Sequence, residues 1–485
     1  MMRPEGVGMR LHTEGSVLRD EHGRQRVLHG INLVHKGRPG ARDAEEFMGP
    51  WSTADVADLS ARGFTVVRLG MIWAAVEPEP GVYSEDYLAW LASQLDLLGE
   101  HGIGVVLDAH QDLYSQSFCD GAPGWATLTN ERFEATDLWS DAYLTSPAVH
   151  GALDAFWANA PGPEGIGLQD SFAAMWAHVA ERFRGHPALI GYDILNDPTP
   201  GTASKEVFGA LMHAFGAATG QDHNQIAAEF MEPDTKLSQL ERLDDVAVHR
   251  AIGNTVAPLL AAFEKQAVAP MMARVAAAVR AVDPDSLLVR EHSYFANLGI
   301  PSGQPPLNDH SWVYSPHGYD LTVDTPAIAA SSNIRAGTIF ARHAETQARL
   351  GAPVLVGAWG AFGDAVGVAH HATFLLDTFD TLGWSWTYWS WAEDFAGSEA
   401  AVALRRPRPI AFAGDAISWC VDGDRFTAVW QGRGCSVPSE FWFPDAAATE
   451  VAVECNGVGT PVSRTADRVL VEAAAGRFSL TATWR

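Results

Sequence analysis

The chain has 485 residues, a mass of 52.2 kDa, 47% hydrophobic residues and 19% charged residues. This composition excludes a disordered protein, and the length allows one large barrel with a smaller module. Asp and Glu total 59 against 33 Lys and Arg, which gives a formal net charge of −26. Such a surface repels phosphate backbones, so we expect no nucleic-acid partner.

The N-terminal sequence "MMRPEGVGMRLHTEGS" has no apolar signal-peptide segment, and no uninterrupted apolar run reaches about 18 residues. We therefore expect a soluble protein, cytoplasmic as the sequence stands, or secreted if a presequence was removed. The four cysteines lack metal-ligand spacing, and the sequence leaves open whether the last three include one disulfide. They are Cys119, Cys420, Cys435 and Cys455.

Apolar runs alternate with amphipathic helical stretches from about residue 25 to 392. The segment 85–102, for example, has apolar residues at helical spacing. Eight runs are predicted strands: 26–34, 65–73, 103–111, 188–196, 286–294, 311–320, 352–360 and 384–391. Eight apolar strands, most followed by a helix, predict a (β/α)8 TIM barrel over residues 1–400, with a helical insertion at about 202–280.

After "RRPRP" (405–409), short segments alternate apolar and polar residues with period two and are separated by turns. This pattern predicts a C-terminal antiparallel β-sandwich over residues 405–485.

Active sites of parallel barrels lie at the C-terminal ends of the strands. Singly, the polar residues predicted there have ordinary structural explanations, since Asn-Asp-Pro is commonly a turn and a buried Arg commonly pairs with a carboxylate. Together they predict one site, and the 17 Trp suit flat sugar rings. The strand-end residues are Arg68, His110, Asn196, Asp197, Glu291, His292, His317, Tyr319, Ala358 and Trp389.

The motifs around these residues resemble glycoside hydrolase family 5, and within it the endoglycoceramidases and related glycosylceramidases. The resemblance covers nearly the whole chain and is most specific at the third and fourth strands. Its motifs include "HGINLVHKG", "VVRLGMIWAAVEPEPGVY", "DAHQDLYSQSFCDGAPGWA", "YDILNDPTPG", "YSPHGYD", "VLVGAWGAFG" and "WTYWSW". It implies a retaining β-glycosidase that cleaves between a glycan and a ceramide-like lipid, and it implies no cofactor.

The resemblance also implies a role for each site residue. Arg68 would hold the nucleophile carboxylate, and His110 and Asn196 would bind the sugar hydroxyl next to the anomeric centre. His317 and Tyr319 would line the floor of the site. Trp389 would stack under the sugar ring, and Lys36 and Asp112 would bind outer hydroxyl groups.

Two positions depart from the family pattern. The family has Glu as acid/base where this chain has Asp197, and Glu as nucleophile where this chain has Ala358. Retaining hydrolysis needs two carboxyl groups about 5–5.5 Å apart, and alanine has no nucleophilic atom. Hydrolysis by this chain is therefore doubtful.

Three interpretations remain open. The chain is a hydrolysis-deficient or glycosynthase-type variant of an active enzyme, which we favour because the surrounding residues are intact. Alternatively, it is a natural barrel that binds glycolipid without catalysis. In the third interpretation another carboxylate takes part, with Glu291, Glu393 and Asp394 as candidates.

We expect the ligand to be a glycolipid or a β-glycoside, and a β-glucosidase acting on a non-lipid aglycone remains an alternative. For a lipid, the loops that contain Phe118, Trp125, Phe156 and Trp157 are predicted to form an apolar groove or to pack at its rim. The helical insertion would form a lid over this groove. A lipid ligand is also compatible with transient contact between the protein and a membrane or micelle surface. No metal site is predicted, because His370–His371 lacks a third ligand, and the sequence leaves the oligomeric state open.

Overall fold

The computed structural model describes residues 9–484, except for the side chains at positions 231, 233 and 234. Three short strands precede the barrel: β1 (Leu11–Glu14), β2 (Val17–Asp20) and β3 (Gln25–Arg26). The barrel strands follow as β4 (His29–Leu33), β5 (Val66–Ile72), β6 (Gly104–His110), β7 (Leu189–Asp193), β8 (Leu287–Glu291), β9 (Trp312–Ser315), β11 (Leu355–Val356) and β13 (Ser385–Tyr388). Strands β10 (His317–Gly318) and β12 (Ala358–Trp359) continue β9 and β11 beyond a break.

The eight barrel strands are parallel and hydrogen-bond in the order β11, β13, β4, β5, β6, β7, β8, β9. The barrel closes where the N–H of Tyr314 in β9 donates to the carbonyl of Pro353, just before β11, at 2.9 Å. The prediction of a (β/α)8 barrel is confirmed.

The predicted sixth and seventh strands are each interrupted in the middle. Pro316 separates β9 from β10 and has no N–H to donate to a ladder. Gly357 separates β11 from β12, and its N–H donates to the carbonyl of Pro316 at 3.1 Å. A Cβ atom at Gly357 would lie 2.4 Å from Ser315 Oγ and 2.7 Å from His317 Nε2. The close approach therefore requires glycine, and it brings β10 and β12 together at the top of the barrel.

Helices α1 to α14 pack around the barrel or cap its top. Several begin at a serine cap, as at Ser84, whose hydroxyl accepts the N–H of Tyr87. The helices are α1 (Thr53–Ala61), α2 (Trp73–Val76), α3 (Glu85–Glu100), α4 (Ala142–Thr145), α5 (Pro147–Trp157), α6 (Leu168–Phe183), α7 (Ser204–Thr219), α8 (His223–Met231), α9 (Pro233–Leu240), α10 (Val246–Phe263), α11 (Ala269–Arg280), α12 (Asn333–Leu350), α13 (Ala369–Leu382) and α14 (Glu399–Ala403).

The segment between β7 and β8 is helical from α7 to α11, and α7 to α10 form a separate apolar cluster above the barrel. A π-helical turn, Glu264–Val268, joins α10 to α11. By length and composition alone, the continuous helix Val246–Arg280 is long and apolar enough to cross a membrane, with 28% of its most apolar window buried. The apolar residues on its buried side pack against the other helices of the insertion, so this helix also fits the interior of a folded domain.

The C-terminal strands form two antiparallel sheets that pack face to face. They are β14 (Arg408–Phe412), β15 (Gly414–Asp422), β16 (Arg425–Arg433), β17 (Ser439–Trp442), β18 (Glu450–Cys455), β19 (Val458–Gly459), β20 (Val462–Arg464), β21 (Arg468–Val471) and β22 (Ala475–Thr483). One sheet has five strands, and the other has seven, including β1, β2 and β3 from the N-terminus. This is the β-sandwich that the period-two pattern predicts.

The domain division at residues 400 and 405 stays a prediction, and residues 1–8 lie outside the described part of the chain. The strand pairing adds one feature to that division: residues 11–26 precede the barrel in sequence, but their strands belong to the seven-stranded sheet of the sandwich. The Arg408 guanidinium joins the two modules, lying 5.3 Å from the Phe64 ring and 4.8 Å from the Trp442 ring. All four cysteines are free thiols.

Candidate active site

A cavity of about 200 Å³ opens at the C-terminal ends of the barrel strands. Of the ten residues to which the sequence analysis assigns a catalytic or binding role, nine line it: Lys36, His110, Asp112, Asn196, Asp197, His317, Tyr319, Ala358 and Trp389. The strand-end residues Glu291 and His292 do not line it. The nine lining residues come from positions far apart in the chain, and the parallel barrel brings them to one rim. The tenth residue, Arg68, lies beneath the cavity and is fully buried.

Arg68 is the centre of a buried ion-pair network under the cavity floor. Its guanidinium lies 2.8 Å from Asp108, 2.8 Å from Asp193 and 2.6 Å from Glu291. It also donates to Asn196 Oδ1 at 3.0 Å, which orients that amide. Burial opposes the charge, but the three carboxylates hold the pKa of Arg68 above its ordinary value. In this structure three carboxylates from β6, β7 and β8 are therefore the partners of Arg68.

Asp197 lies beyond the end of β7 with a left-handed backbone, at φ +42°. Its N–H donates to Glu291 Oε2 at 2.6 Å, and its Oδ1 accepts from Asn297 Nδ2 at 2.9 Å. His317 Nδ1 is 3.3 Å from the same Oδ1. Burial works against ionisation, yet His317 and Asn297 lower the pKa of Asp197 to about 2. Asp197 is therefore a carboxylate at neutral pH.

His317 lies between two carboxylates and is almost fully buried. Its Nε2 is 3.1 Å from Glu291 Oε1, opposite the contact of Nδ1 with Asp197. Burial lowers the pKa of His317, but Glu291 and Asp197 together raise it to about 10. Burial and the nearby Asp193 raise the pKa of Glu291, whereas His317 and Arg68 stabilise its ionised form. The imidazole is thus a buried cation that fixes Asp197 as its anion.

Ala358 contributes only a methyl group to the cavity wall. It is the register partner of His317 in the β10–β12 pair, and it is 1% exposed. The carboxylates proposed as replacements lie elsewhere: Glu291 is fully buried below the floor, and Glu393 and Asp394 are exposed outside the cavity. The carboxylates that line the cavity are Asp112, Asp197 and Asp324.

One wall of the cavity combines aromatic rings with polar groups. The His110 ring stacks on Trp389 with centroids 5.2 Å apart, and its Nδ1 is 2.8 Å from Asp108. Its Nε2 is buried without a hydrogen-bond partner among the described residues. Burial keeps the pKa of His110 well below its ordinary value, so the ring is neutral. Lys36 contacts Asp112, and its Nζ lies 5.3 Å from the Trp389 ring centroid.

Three clusters around the cavity have the residue types of a metal site: His110 with Asp112 and Asp120, Asp197 with Glu291 and His317, and Asp108 with Asp193 and Glu291. Each already contains or contacts a positive side chain of the protein. Lys36 is next to the first cluster, His317 is the cation of the second, and Arg68 pairs with the third. The arrangement in the described chain is that of ion-pair networks.

An apolar groove of about 220 Å³ adjoins the polar cavity. Helices α7 to α10 supply one wall, including Phe208, Leu211 and Ile252. Five residues line both spaces, so the two lie next to each other: Ser140, Tyr294, Leu298, Leu321 and Val323.

Of the two alternatives for the loop aromatics, the structure does not support a groove, because none of the four lines it. Phe118 and Phe156 are buried in the barrel core. The indole N–H of Trp125 donates to Glu77, and that of Trp157 donates to Thr199. The four side chains therefore serve packing, which is the other alternative of the sequence analysis, and the helical insertion lines the groove instead.

Sequence analysis did not select the other residues that line the cavity, and four of them carry polar or aromatic side chains that face a sugar-sized space: Trp139, Tyr294, Asn297 and Asp324. All four lie in connections rather than at strand ends, and no periodic pattern marks them. Trp139 donates its indole N–H to Asp324 at 3.0 Å, which links two of these connections across the cavity.

Residues 35–394 match the family model for cellulase, glycosyl hydrolase family 5. Endoglycoceramidase I of Rhodococcus hoagii is 33% identical over 193 residues, which are 40% of this chain and 37% of that protein. Endoglycoceramidase of Cyanea nozakii is 31% identical over 216 residues, which are 39% and 42% of the two chains. The matches thus span about two fifths of these relatives.

Among solved structures, endo-glycoceramidase II from Rhodococcus sp. with a five-membered iminocyclitol superposes with a TM-score of 0.74 and 26% identity. The superposition covers 97% of this chain and 100% of that chain. Sterylglucosidase 1 of Cryptococcus neoformans, at 15% identity and a TM-score of 0.69 over 99% and 98% of the two chains, shares the fold. On the match over residues 35–394, this chain belongs to glycosyl hydrolase family 5.

Proposed function

We propose that the chain binds a glycolipid across the bond between a glycan and a ceramide-like lipid, and that Ala358 prevents ordinary retaining hydrolysis. One observation carries this proposal: the polar cavity beside Asp197 lies next to an apolar groove and shares five lining residues with it. A ligand with a sugar at one end and an alkyl chain at the other matches both halves. The similarity to endoglycoceramidases supports the same ligand class.

The polar cavity provides the contacts that a sugar needs. The buried Nε2 of His110 faces the same space as Asn196, and Trp389 offers an aromatic face beside them. Aromatic faces stack on the apolar side of sugar rings, and hydrogen bonds fix the orientation of the hydroxyl groups. In this proposal the roles of the site residues are those implied by the family resemblance.

The missing step is the covalent one. A retaining glycosidase forms a glycosyl-enzyme through a carboxylate, and the methyl group of Ala358 cannot attack the anomeric carbon. Asp197 is also one methylene shorter than glutamate, by about 1.5 Å, and an error of about 1 Å can reduce a rate roughly a hundredfold. Its low pKa, about 2, further disfavours proton donation.

The same geometry suits the reverse reaction. An ionised Asp197 is able to accept a proton from an acceptor alcohol, and the small side chain of Ala358 leaves room for an activated glycosyl donor of inverted configuration. A glycosynthase-type reaction is therefore the chemistry that this proposal allows, while a natural binding protein would use the same contacts without reaction.

The decisive experiment restores the nucleophile by Ala358→Glu. We expect the variant to hydrolyse an aryl β-glucoside or a glycosylceramide while the parent chain does not, and we expect azide or formate to rescue the parent chain partly. A folded variant that binds sugar and stays inactive between about pH 4 and 8 would contradict the enzyme-derived proposal. Glycolipid binding without any turnover would instead support a natural non-catalytic barrel.

A β-glucosidase site for a non-lipid aglycone is the second candidate, because the polar cavity alone would serve it. The two candidates differ in the apolar groove. If alkyl β-glucosides bind no better as the chain lengthens, the second candidate replaces the first.

A further inference from the structure

Asn297 donates a hydrogen bond to the carboxylate of Asp197, and the side chains behind Asn297 determine how its amide group is oriented. Asn297 lies on the 3-10 turn Tyr294–Leu298, which follows β8. The N–H of Tyr294 donates to the carbonyl of Pro198 at 3.0 Å, which joins this turn to the segment that carries Asp197. The backbone therefore fixes where Asn297 lies, but not which end of its amide group faces Asp197.

Three side chains form a continuous hydrogen-bond chain that ends at Asp197. The hydroxyl of Tyr314 is 2.7 Å from Nδ1 of His292, and Nε2 of His292 is 2.7 Å from Oδ1 of Asn297. Nδ2 of Asn297 is 2.9 Å from Oδ1 of Asp197. Tyr314 and His292 are fully buried, so their polar atoms depend on one another for hydrogen bonds.

The carboxylate at the end of this chain determines the direction of its hydrogen bonds. A carboxylate only accepts, so Asn297 presents its NH2 group to Asp197 and its carbonyl oxygen to His292. That oxygen needs a donor, so His292 carries its proton on Nε2 and leaves Nδ1 to accept from the Tyr314 hydroxyl. Burial lowers the pKa of His292 to about 4, which agrees with a neutral ring that has one donor and one acceptor nitrogen.

The reverse direction would need a proton on Asp197. Its carboxyl group would then donate to Oδ1 of Asn297, and the Asn297 amide would donate to Nε2 of His292. His292 would carry its proton on Nδ1 and donate it to the Tyr314 hydroxyl. The position of the proton on His292 therefore distinguishes the two directions.

The ionisable groups that contact the chain favour the direction towards Asp197. His317 is a cation, and its Nδ1 lies 3.3 Å from Asp197 Oδ1. Glu291 accepts the backbone N–H of Asp197 at 2.6 Å, and its charge is paired with His317 at 3.1 Å. The His343 ring centroid is 4.7 Å from that of His292, and burial keeps the pKa of His343 well below its ordinary value, so this ring is neutral. A cation beside Asp197 and neutral rings behind Asn297 both stabilise a carboxylate at this end of the chain.

We propose that Tyr314 and His292 are positioning residues that act through Asn297, because their hydrogen bonds run towards Asp197 and hold it as an ionised acceptor. Neither Tyr314 nor His292 lines the cavity, so both act without contact with a ligand. This inference rests on the proposed function only for the role of Asp197. A chain that ends on a carboxylate favours proton acceptance from an alcohol, and it opposes the proton donation that hydrolysis needs.

The tautomer of His292 tests the direction in the parent chain. Nitrogen-15 NMR spectra of protein labelled in histidine distinguish an Nε2–H ring from an Nδ1–H ring, and the signal missing from His292→Gln assigns the resonance. We expect a neutral Nε2–H ring at about pH 7. An Nδ1–H ring or an imidazolium would overturn the inference.

The ionisation of Asp197 tests whether His292 acts on it. His292→Leu removes the donor to Asn297, whereas His292→Gln keeps an N–H group near the Nε2 position. Carbon-13 NMR of labelled aspartate carboxyl groups, assigned with Asp197→Asn, measures the protonated fraction at the lowest pH at which each variant is folded. We expect that fraction to be about tenfold larger in His292→Leu than in the parent, which is one pKa unit, and close to the parent value in His292→Gln.

His29→Leu is the matched control, because His29 is 1% exposed and begins β4, at the end of the barrel opposite the cavity. It should leave the Asp197 signal unchanged. Equal protonation of Asp197 in His292→Leu and the parent would overturn the inference.

Tyr314→Phe removes a single oxygen atom and provides the test if His292→Leu does not fold. We expect the Nδ1 resonance of His292 to shift, because that nitrogen loses its donor. An unchanged resonance would show that Tyr314 does not donate to His292, and the inference would fail. Turnover by Ala358→Glu bears on the proposed function alone, because both NMR measurements are made without turnover.

Discussion

The backbone N–H of Asp197 donates to Oε2 of Glu291 at 2.6 Å, so the residue at the acid/base position is anchored by a carboxylate below the cavity. The other oxygen of Glu291 contacts Arg68 and His317. Glu291 does not line the cavity, and it is fully buried. It therefore acts on the site through Asp197 and His317 rather than by contact with a ligand.

Glu291→Gln should lower the pKa of His317. The amide keeps the acceptor for the Asp197 N–H but removes one of the two negative charges that raise the pKa of His317 to about 10. In nitrogen-15 NMR spectra, we expect the parent His317 ring to stay protonated through pH 8 and the variant ring to titrate at lower pH. Identical titrations would mean that Glu291 does not stabilise the imidazolium. Glu393→Gln is the control, because Glu393 is exposed.

His317→Gln should destabilise the fold by an amount that depends on pH. The folded pKa of His317, about 10, exceeds its ordinary value of 6.5, so its stabilisation is complete below pH 6.5 and is lost as the pH rises through 10. The pKa of Asp197 is lowered from 3.8 to about 2, so its contribution is complete above pH 3.8 and is lost as the pH falls through 2.

The difference in unfolding free energy between the parent and His317→Gln should thus be largest between about pH 4 and 6.5. We expect about 3 kcal/mol there, typical of breaking a buried ion pair, and less at pH 9. Urea unfolding at pH 5, 7 and 9 measures this difference. A difference that does not change with pH would show that His317 stabilises the fold by packing and not by charge.

The residues that the sequence could identify are those at strand ends. Parallel strands in a barrel bring their C-terminal residues to one rim, so His110, Asn196, His317 and Trp389 were predictable from their positions after apolar runs. The family resemblance then separated them from ordinary turn and core residues. Their placement in one cavity follows from topology alone, whereas their roles still depend on the proposed function.

The direction of a strand-end side chain was less predictable. Glu291 ends β8, yet its carboxylate points below the floor, because Arg68 attracts it at 2.6 Å. Site residues in the connecting segments were harder still to predict from the sequence. Trp139 and Asp324 meet through a hydrogen bond between segments 185 residues apart, and no local pattern encodes that distance. For the aromatic loop residues the sequence left both a groove and packing open, because an aromatic ring suits core packing as well as a ligand groove.

Phe208→Ser should weaken binding of long-chain alkyl glucosides selectively. Phe208 lines the groove and is half-buried, so the substitution removes apolar contact without opening the barrel core. At about 25 cal/mol per Å² of apolar surface, the loss is about 1–2 kcal/mol, or about tenfold in Kd. Calorimetry with octyl and methyl β-glucoside separates a loss of alkyl-chain binding from a loss of sugar binding. Equal losses for both ligands would contradict a groove for the alkyl chain, and Leu259→Ser on the outer face of α10 is the control.

Replacing Val246 and Leu259 by serine should reduce adsorption to neutral lipid surfaces. Helix α10 lines the groove with its inner face, and two of its apolar side chains outside the groove, Val246 and Leu259, are 44% and 40% exposed. Apolar side chains on such a helix partition into the boundary of a bilayer. We expect weak adsorption of the parent chain to phosphatidylcholine vesicles and less for the double variant, measured by co-sedimentation.

Phosphatidylserine vesicles should bind the parent chain more weakly, because the net charge of −26 opposes an anionic surface. Phe208→Ser, which changes the groove and leaves the outer face intact, should adsorb like the parent. If the double variant and the parent chain sediment equally with phosphatidylcholine, Val246 and Leu259 are not the lipid contact.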